Sequence, residues 1–488
     1  MCGFIGIYLK NTARLEEARY ETVLKKMSKV INHRGPDDKD VFINKKNKLG
    51  LAFQRLSILD LNRNANQPML SKNKDWVIVY NGEIYNHKDL KKTINSQSKF
   101  WKTTSDTEVA LELISKYGFI KAIPKLNGMF AIAAYCFSEK TLWLARDKFG
   151  EKPLYYNYNS TEGLIFGSDI TSFSLYPNFK KNLNREATAQ YIRYGYVPDP
   201  LCIFEDTYKL EPGSIIKYDK INLIKKIKYW DSIKVYADMG QKKFKGSFEE
   251  AKAELKYKLD LSIKNRLISD VPVGTFLSGG IDSSNIALSM YRQKIEQKTF
   301  SIGFDDIKAN ELDYANLIAN NLKTQHFTKV IGEKECINEI SNIVKAYDEP
   351  FSDPSQIPTY LLCKFAKNKI TVALSGDGAD ELFGGYPRYK NIINIWSKIE
   401  KYPNFLSDIF SNLSEKFSCS DNSQLRSIGK KLRKISHKNL DSIYRDELSR
   451  WRPDENLYDE SILANSNFDK SDNKNFLNIS SHRYLMLK

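Results

Sequence analysis

The chain has 488 residues, 41% hydrophobic and 12% aromatic, enough apolar material for two or three domains with cores of their own. That composition excludes a disordered chain, and no apolar run approaches the roughly 18 residues of a membrane span, so no membrane partner is expected. The net charge of +16 is spread along the whole length, with only short clusters at Lys45-Lys46-Asn47-Lys48 and Lys430-Lys431-Leu432-Arg433-Lys434, so no nucleic-acid partner is expected either. The six cysteines (Cys2, Cys136, Cys202, Cys336, Cys363, Cys419) form no close pair, and the N-terminus has no basic segment followed by an apolar stretch. A reduced, cytoplasmic enzyme without zinc spacing is the expectation.

In chain order, the first element opens on Met1-Cys2-Gly3-Phe4-Ile5-Gly6-Ile7. Methionine is normally trimmed before a residue as small as cysteine, which would leave a free α-amine titrating at about 7.7 to 8.0 beside the thiol. That amine can take the thiol proton, making Cys2 a candidate N-terminal nucleophile, although a cysteine at the head of an apolar strand can equally be accidental. Short strands with Gly and Asn turns follow to about Phe204, among them Trp76 to Tyr80, Phe130 to Phe137, Thr141 to Ala145 and Leu154 to Tyr156. Ser105-Asp106-Thr107-Glu108 predicts a helix start, with Val109, Leu111, Leu113 and Ile114 buried behind it.

A charged, hairpin-like connection occupies about Tyr208 to Tyr236, and then the texture changes. Ser247-Phe248-Glu249-Glu250 has capping-box spacing, and Ala251, Leu255, Leu259, Ile263 and Leu267 predict one buried helical face. A strand at Val273 to Leu277 runs into a glycine loop and a helix beginning near Ser283, with further strands at Lys298 to Phe304 and Ile370 to Leu374. Alternating strand and helix predicts a parallel, doubly wound sheet. The expected domains are therefore 2–215, a connecting hairpin or linker at 216–245, and 246–488.

The first half carries groups suited to gripping an amino acid. Arg55, in Gln54-Arg55-Leu56-Ser57-Ile58, offers a forked guanidinium for a carboxylate. Asn81 and Gly82 follow an apolar strand, so an amide side chain and an unhindered N–H stand at its end as a candidate oxyanion hole. Glu83 and Asp106 are carboxylates that could receive a substrate ammonium, and His33 is expected to be structural because the α-amine already supplies a base. Together with His33-Arg34-Gly35-Pro36-Asp37 and the run Ala145 to Tyr156, these motifs resemble the class II glutamine amidotransferase domain of asparagine synthetases. The resemblance implies an N-terminal-nucleophile (Ntn) hydrolase sandwich of two antiparallel sheets between helix layers. It also implies that Cys2 attacks the glutamine side chain, Arg55 binds the glutamine carboxylate, Asn81 and Gly82 stabilise the oxyanion, and Glu83 and Asp106 hold the α-amine.

In the second half, Phe276-Leu277-Ser278-Gly279-Gly280-Ile281-Asp282-Ser283-Ser284 sits where a strand gives way to a helix, a position that binds anions through backbone N–H groups and the helix dipole. Asp282 can hold a magnesium ion there. The run resembles the pyrophosphate loop of ATP pyrophosphatases, which implies a Rossmann-like synthetase domain with Ser278, Gly279, Gly280, Asp282, Ser283 and Ser284 around ATP. By the same resemblance Phe276 and Ile302 frame the adenosine, Ser375 and Gly376 line the site, Asp377 lies near the forming adenylate, and Asp380 shares Mg2+ with Asp282.

The implied reaction uses glutamine, ATP and a carboxylate, most directly aspartate, and releases AMP and pyrophosphate; a sugar uronate of surface polysaccharide is the alternative acceptor, and a homodimer is compatible with the resemblance. The resemblance weakens after Tyr389 and returns at Arg483 to Lys488. Related synthetases continue with a phosphate-contacting lysine and a Glu-x-Arg-x-Pro-Phe motif that this sequence lacks. A synthetase domain incomplete at its C-terminus is thus expected, with glutaminase activity alone as the corresponding alternative.

Overall fold

The computed structural model describes residues 2–10, 17–95, 97–219, 225–240, 244–305, 311–418, 420 and 422–451, so Cys419 and the motif at Arg483 to Lys488 lie outside the described residues. In chain order the N-terminal half supplies β1 (Gly3–Leu9), β2 (Asp38–Asn44), β3 (Leu49–Arg55), β4 (Met69–Leu70), β5 (Trp76–Ile84), β6 (Gly128–Cys136), β7 (Thr141–Arg146), β8 (Tyr155–Asn159), β9 (Gly163–Gly167), β10 (Thr207–Lys209), β11 (Ser214–Asp219) and β12 (Lys225–Lys228). They form two sheets, ordered β10-β8-β9-β1-β3-β2 and β12-β11-β7-β6-β5-β4, with antiparallel pairing throughout.

The central strands of each sheet are buried on both faces, which is why they read as nearly continuous hydrophobic runs. Phe4, Tyr8, Phe53, Val77, Val79, Ala133 and Leu144 fill the layer between the sheets. The alternate residues Ile5, Ile7 and Ala52 face outward onto Leu24 and Met27 of the helix Glu17–Val30. On the other sheet Ile78, Tyr80, Ile132 and Ala134 face outward onto Val109, Leu113 and Ile114 of the helix Asp106–Tyr117, whose N-cap is Ser105. The architecture is two antiparallel sheets between helix layers.

In the C-terminal half, β13 (Val273–Phe276), β14 (Lys298–Phe304), β15 (Gln325–Ile331) and β16 (Val372–Leu374) form a parallel sheet in the order β15-β14-β13-β16. The winding direction reverses between β13 and β16, and ligands of open parallel sheets bind at the carboxyl ends of strands beside such a reversal.

The hairpin-like connection expected over Tyr208 to Tyr236 holds an antiparallel pair: β11 pairs with β7 and β12 with β11, so β12 forms the edge of the second N-terminal sheet, and the helix Ser232–Gly240 follows. The capping box at Ser247 is present, but of the five apolar residues spaced by four only Ile263 is buried, and Leu255 is 49% exposed. A spacing of four drifts around a helix of about 3.6 residues per turn, so these positions do not share one face. The helix after the glycine loop starts at Ile281, in keeping with the start expected near Ser283.

The halves meet along a hydrogen-bonded seam. Glu349 pairs with Lys209 at 2.5 Å and accepts the Ile203 N–H at 2.8 Å, while Asp348 accepts the Tyr155 hydroxyl and the Ile170 N–H, each at 3.3 Å. Backbone bonds of 2.7 Å run from Ser352 N–H to Gly195 O and from Arg450 N–H to Arg193 O.

Candidate active sites

β1 begins at Gly3, which pairs with Gln54, so Cys2 is delivered to the end of β3. The Leu56 N–H donates to the Cys2 sulfur at 3.3 Å, and the thiol reaches the Leu56 carbonyl at 3.4 Å. Burial pushes the thiol up, while the Leu56 backbone bond and the charge of Arg55 pull it back down. Arg34 donates to the Cys2 carbonyl at 3.3 Å and has one buried guanidinium nitrogen without a protein partner. His33 lies outside this centre, half-exposed, with Nδ1 at 3.2 Å from Val30 O.

Asn81 and Gly82 lie within β5 rather than past its end. Side-chain and backbone directions alternate along a strand, so residues 80, 82 and 84 present their N–H groups on one edge. Gln67 takes the Tyr80 N–H at 2.6 Å and Asp106 takes the Ile84 N–H at 2.8 Å. On the opposite side, the Phe130 carbonyl accepts the Asp147 N–H and the Phe130 N–H donates to the Asp147 carboxylate, so the facing Gly82 turns its N–H away from β6 onto the edge shared with Tyr80 and Ile84. A Cβ at Gly82 would meet the Met129 carbonyl oxygen at 2.1 Å, so only glycine fits. Asn81 is 1% exposed and its Nδ2 has no partner. An orphaned buried amide donor is costly unless a ligand uses it.

Glu83 and Asp106 form an acid pair. Burial, then repulsion from Asp106 and Asp270, hold Glu83 well above the ordinary carboxylate range, with Lys152 opposing. Burial likewise raises Asp106, against the bonds it accepts from Ile84 N–H and the Tyr80 hydroxyl, each 2.8 Å. Two carboxylates this short of positive charge suit a ligand that brings an ammonium. Arg55 is 5% exposed, and its guanidinium donates to the carbonyls of Leu59 (3.4 Å), Asp60 and Asn62 (2.9 Å). Its fork is therefore fixed by the loop 59–62.

The motif at 146–152 is scaffolding for this site. Arg146 binds the carbonyls of Gly150, Lys152 and Leu210 and pairs with Asp199 at 2.9 Å, and Asp147 accepts the N–H groups of Phe149, Glu151 and Lys152. The turn so closed buries Lys152 close enough to Glu83 for each to alter the other's ionisation.

The second centre lies at the strand-order reversal. Ser283 Oγ accepts the Ser278 N–H at 3.2 Å and lies 3.0 Å from Ser278 Oγ, which accepts the Gly280 N–H at 3.2 Å. Gly279 has φ +82°, and a Cβ there would meet the backbone of Tyr314 and Ala315 at 2.6 Å. Ser284 keeps a buried hydroxyl without a partner. Across the switch point, a Cβ on Gly376 would lie 3.0 Å from Asp282 Cβ and from Ser283 N, so the two glycine-rich loops touch. Asp377 accepts the Ser375 hydroxyl at 2.8 Å.

Asp282 is raised by burial and by its neighbour Asp380. Among the described residues no group of three or more metal-binding side chains occurs. Two adjacent carboxylates nevertheless fit Mg2+, which ordinarily takes one or two from protein and completes its shell with phosphate and water. Of the two residues expected around adenosine, Phe276 packs against the Phe300 and Ile370 cluster, and Ile302 stands partly exposed in β14 opposite Lys329.

Residues 1–230 match the glutamine amidotransferase domain family and residues 254–483 the asparagine synthase family. The chain is 37% identical over 437 residues to putative asparagine synthetase [glutamine-hydrolyzing] 2 of Methanocaldococcus jannaschii, covering 85% of this chain and 81% of that protein. The chain belongs to the glutamine-hydrolysing asparagine synthetase family. Asparagine synthetase [glutamine-hydrolyzing] 1 of Bacillus subtilis is 36% identical over 85% of this chain and 63% of its own length; the second such protein of that organism is 34% identical over 79% and 52%. The chain thus spans between about half and four fifths of these relatives. The family is one of carbon–nitrogen ligases that take ATP as substrate, and no helix among the described residues is long and apolar enough to cross a membrane.

Seen as a member of this synthetase family, the chain holds site residues that sequence reasoning passed over: Lys152 beside Glu83, Arg34 on the Cys2 carbonyl, and the Leu56 backbone on the sulfur. Arg34 and Lys152 sat inside motifs already singled out. The Leu56 contact is made by backbone, for which no side-chain pattern exists.

Proposed function

We propose that this chain hydrolyses glutamine at Cys2 and uses the ammonia to convert aspartate to asparagine, with ATP cleaved to AMP and pyrophosphate. The observation that carries this reading is the presence, in one polypeptide, of the orphaned Asn81 amide, two residues along β5 from the Glu83 carboxylate that acts on the Cys2 thiol, and of two touching glycine loops at the switch point of the parallel sheet.

With Met1 removed, the Cys2 α-amine takes the thiol proton as sulfur attacks the side-chain carbonyl carbon of glutamine. The carbonyl electron pair moves to oxygen, where Asn81 Nδ2 and the Gly82 N–H donate to it. Collapse expels ammonia and leaves a thioester, which water cleaves to glutamate. Glu83 and Asp106 receive the substrate ammonium, and Arg55 its carboxylate.

In the C-terminal half, Ser278 to Ser284, Ser375 and Gly376 cradle the phosphates. Mg2+ held by Asp282 and Asp380 would neutralise charge on the departing pyrophosphate. An aspartate carboxylate oxygen attacks the α-phosphorus near Asp377, pyrophosphate leaves, and ammonia then displaces AMP from the acyl carbon.

Pyrophosphate release with glutamine, ATP and magnesium, measured against a panel containing aspartate and a sugar uronate, tests the reading. Release with aspartate is expected, and Cys2→Ala should abolish the glutamine-driven reaction while sparing the ammonia-driven one. ADP and orthophosphate as products would refute the adenylate route; release with the uronate alone would reassign the acceptor.

A further inference from the structure

The loop that fixes Arg55 does not stand on the glutaminase half alone. Asp60, at its centre, has φ +55°, a left-handed conformation uncommon outside glycine that aspartate tolerates better than most residues and that its partners here hold in place. Four groups bond to it. Its carboxylate accepts the Thr104 N–H at 2.7 Å and the Asn62 N–H at 3.0 Å, and its carbonyl accepts the Arg55 guanidinium. The fourth comes from the other half of the molecule: Asp60 donates its N–H to Asp270 Oδ2 at 2.8 Å. Asp270 returns a second bond, its own N–H donating to the Ile58 carbonyl at 2.9 Å.

Asp60 is therefore a node. Through Arg55 it reaches the group that would take a substrate carboxylate, and through Thr104 it reaches the N-cap region of Asp106, which would take the ammonium. Through Asp270 it reaches the segment leading directly into β13 and the glycine loop. A second contact supports the same seam, because the Arg266 guanidinium lies 5.0 Å above the ring of Tyr85, two residues beyond Glu83. The Asp270 carboxylate is also close enough to Glu83 to raise it, adding negative potential where the ammonium would sit.

We infer that Asp270 is a positioning residue of the glutamine pocket, supplied by the synthetase half, which holds the loop 58–62 and through it the Arg55 fork in the geometry that binds the substrate's α-carboxylate and α-amine. The inference rests on the function proposed above and extends it, since a residue outside the amidotransferase half then sets glutamine affinity. Asp270 touches none of the reacting atoms, so it acts on binding rather than on thioester chemistry.

The test measures glutamine hydrolysis by the full chain carrying Asp270→Ala or Asp270→Asn, with ammonia-driven pyrophosphate release as the check that both proteins are folded. In Asp270→Ala, loss of the acceptor for Asp60 should raise KM for glutamine about tenfold with kcat within about twofold. In Asp270→Asn the amide oxygen can still accept the Asp60 N–H, so most of that rise should be recovered. An unchanged KM in Asp270→Ala, or a fall in kcat at constant KM, would overturn the inference. Should Asp270→Ala fail to fold, Asp270→Leu, which keeps side-chain bulk but offers Asp60 no acceptor, takes its place: a KM rise of about tenfold supports the positioning role, and an unchanged KM overturns it. A wild-type chain that does not turn over glutamine would instead bring down the underlying reading, and this inference with it.

Discussion

At the scale of single residues, the most exacting feature is the buried Asn81 amide with no protein acceptor. A donor kept in that state is stabilised only when negative charge develops opposite it, so its contribution belongs to the transition state rather than to the bound substrate. Asn81→Ala should therefore lower kcat for glutamine hydrolysis by about 100-fold to 1000-fold with KM little changed. Glutamate release measured over a range of glutamine concentrations separates the two; an unchanged kcat would remove Asn81 from the oxyanion hole. Cys2, Arg55, Asn81, Glu83 and Asp106 were legible in the sequence as candidates because their side chains have distinctive chemistry inside short motifs. Asp60 and Asp270 were not legible, since a lone aspartate before Val271-Pro272 carries no pattern and its value lies in a contact across 210 positions of sequence.

At the scale of elements, hydrophobic runs revealed strands well, and the strand predicted at Lys298 to Phe304 coincides with β14. Composition could not show that β11 and β12 complete a sheet begun far upstream, because a lysine-rich edge strand such as β12 resembles a solvated connection and only pairing identifies it. Nor could it show that Asn81 and Gly82 remain inside β5; the N–H groups of Tyr80 and Ile84 find acceptors in the side chains of Gln67 and Asp106, which lets the strand run on along β6 without a strand on its other edge. In the parallel sheet, the glycine loop depends on the left-handed turn at Gly279, where a side chain would also strike the backbone of Tyr314 and Ala315. Gly279→Ala should therefore displace the loop and depress ATP-dependent pyrophosphate release strongly, while glutamine hydrolysis continues. Equal loss of both activities would mean that the substitution unfolds the chain rather than the loop.

At the scale of the whole molecule, the seam contains a carboxyl that prefers to be neutral. Burial, with repulsion from Asp169 and Glu349, pushes Asp348 up to about 6 from its ordinary 3.8. Because the folded value is the higher one, its contribution to stability is full below about pH 4 and is lost as pH rises through about 6. Asp348→Asn mimics the neutral form: its amide oxygen can accept the Ile170 N–H and its NH2 can donate to the Tyr155 hydroxyl oxygen. The variant should flatten the fall in Tm between about pH 4 and 6 and be more stable near neutrality by about 1 to 2 kcal/mol; a lower Tm near neutrality would show that the charged form is the one the seam requires. The two halves also differ in how their cores are built. Three broad apolar layers sandwich the N-terminal sheets, whereas the parallel sheet rests on small clusters and its β16 is nowhere fully buried. Local opening follows the thinner core, so the nucleotide seat is lost at a lower free-energy cost than the thiol centre. In such partly opened molecules, under the proposed reaction, glutamine would still be consumed with no activated carboxylate to meet the ammonia, so the unequal layering would put a floor under the nitrogen wasted per amide made.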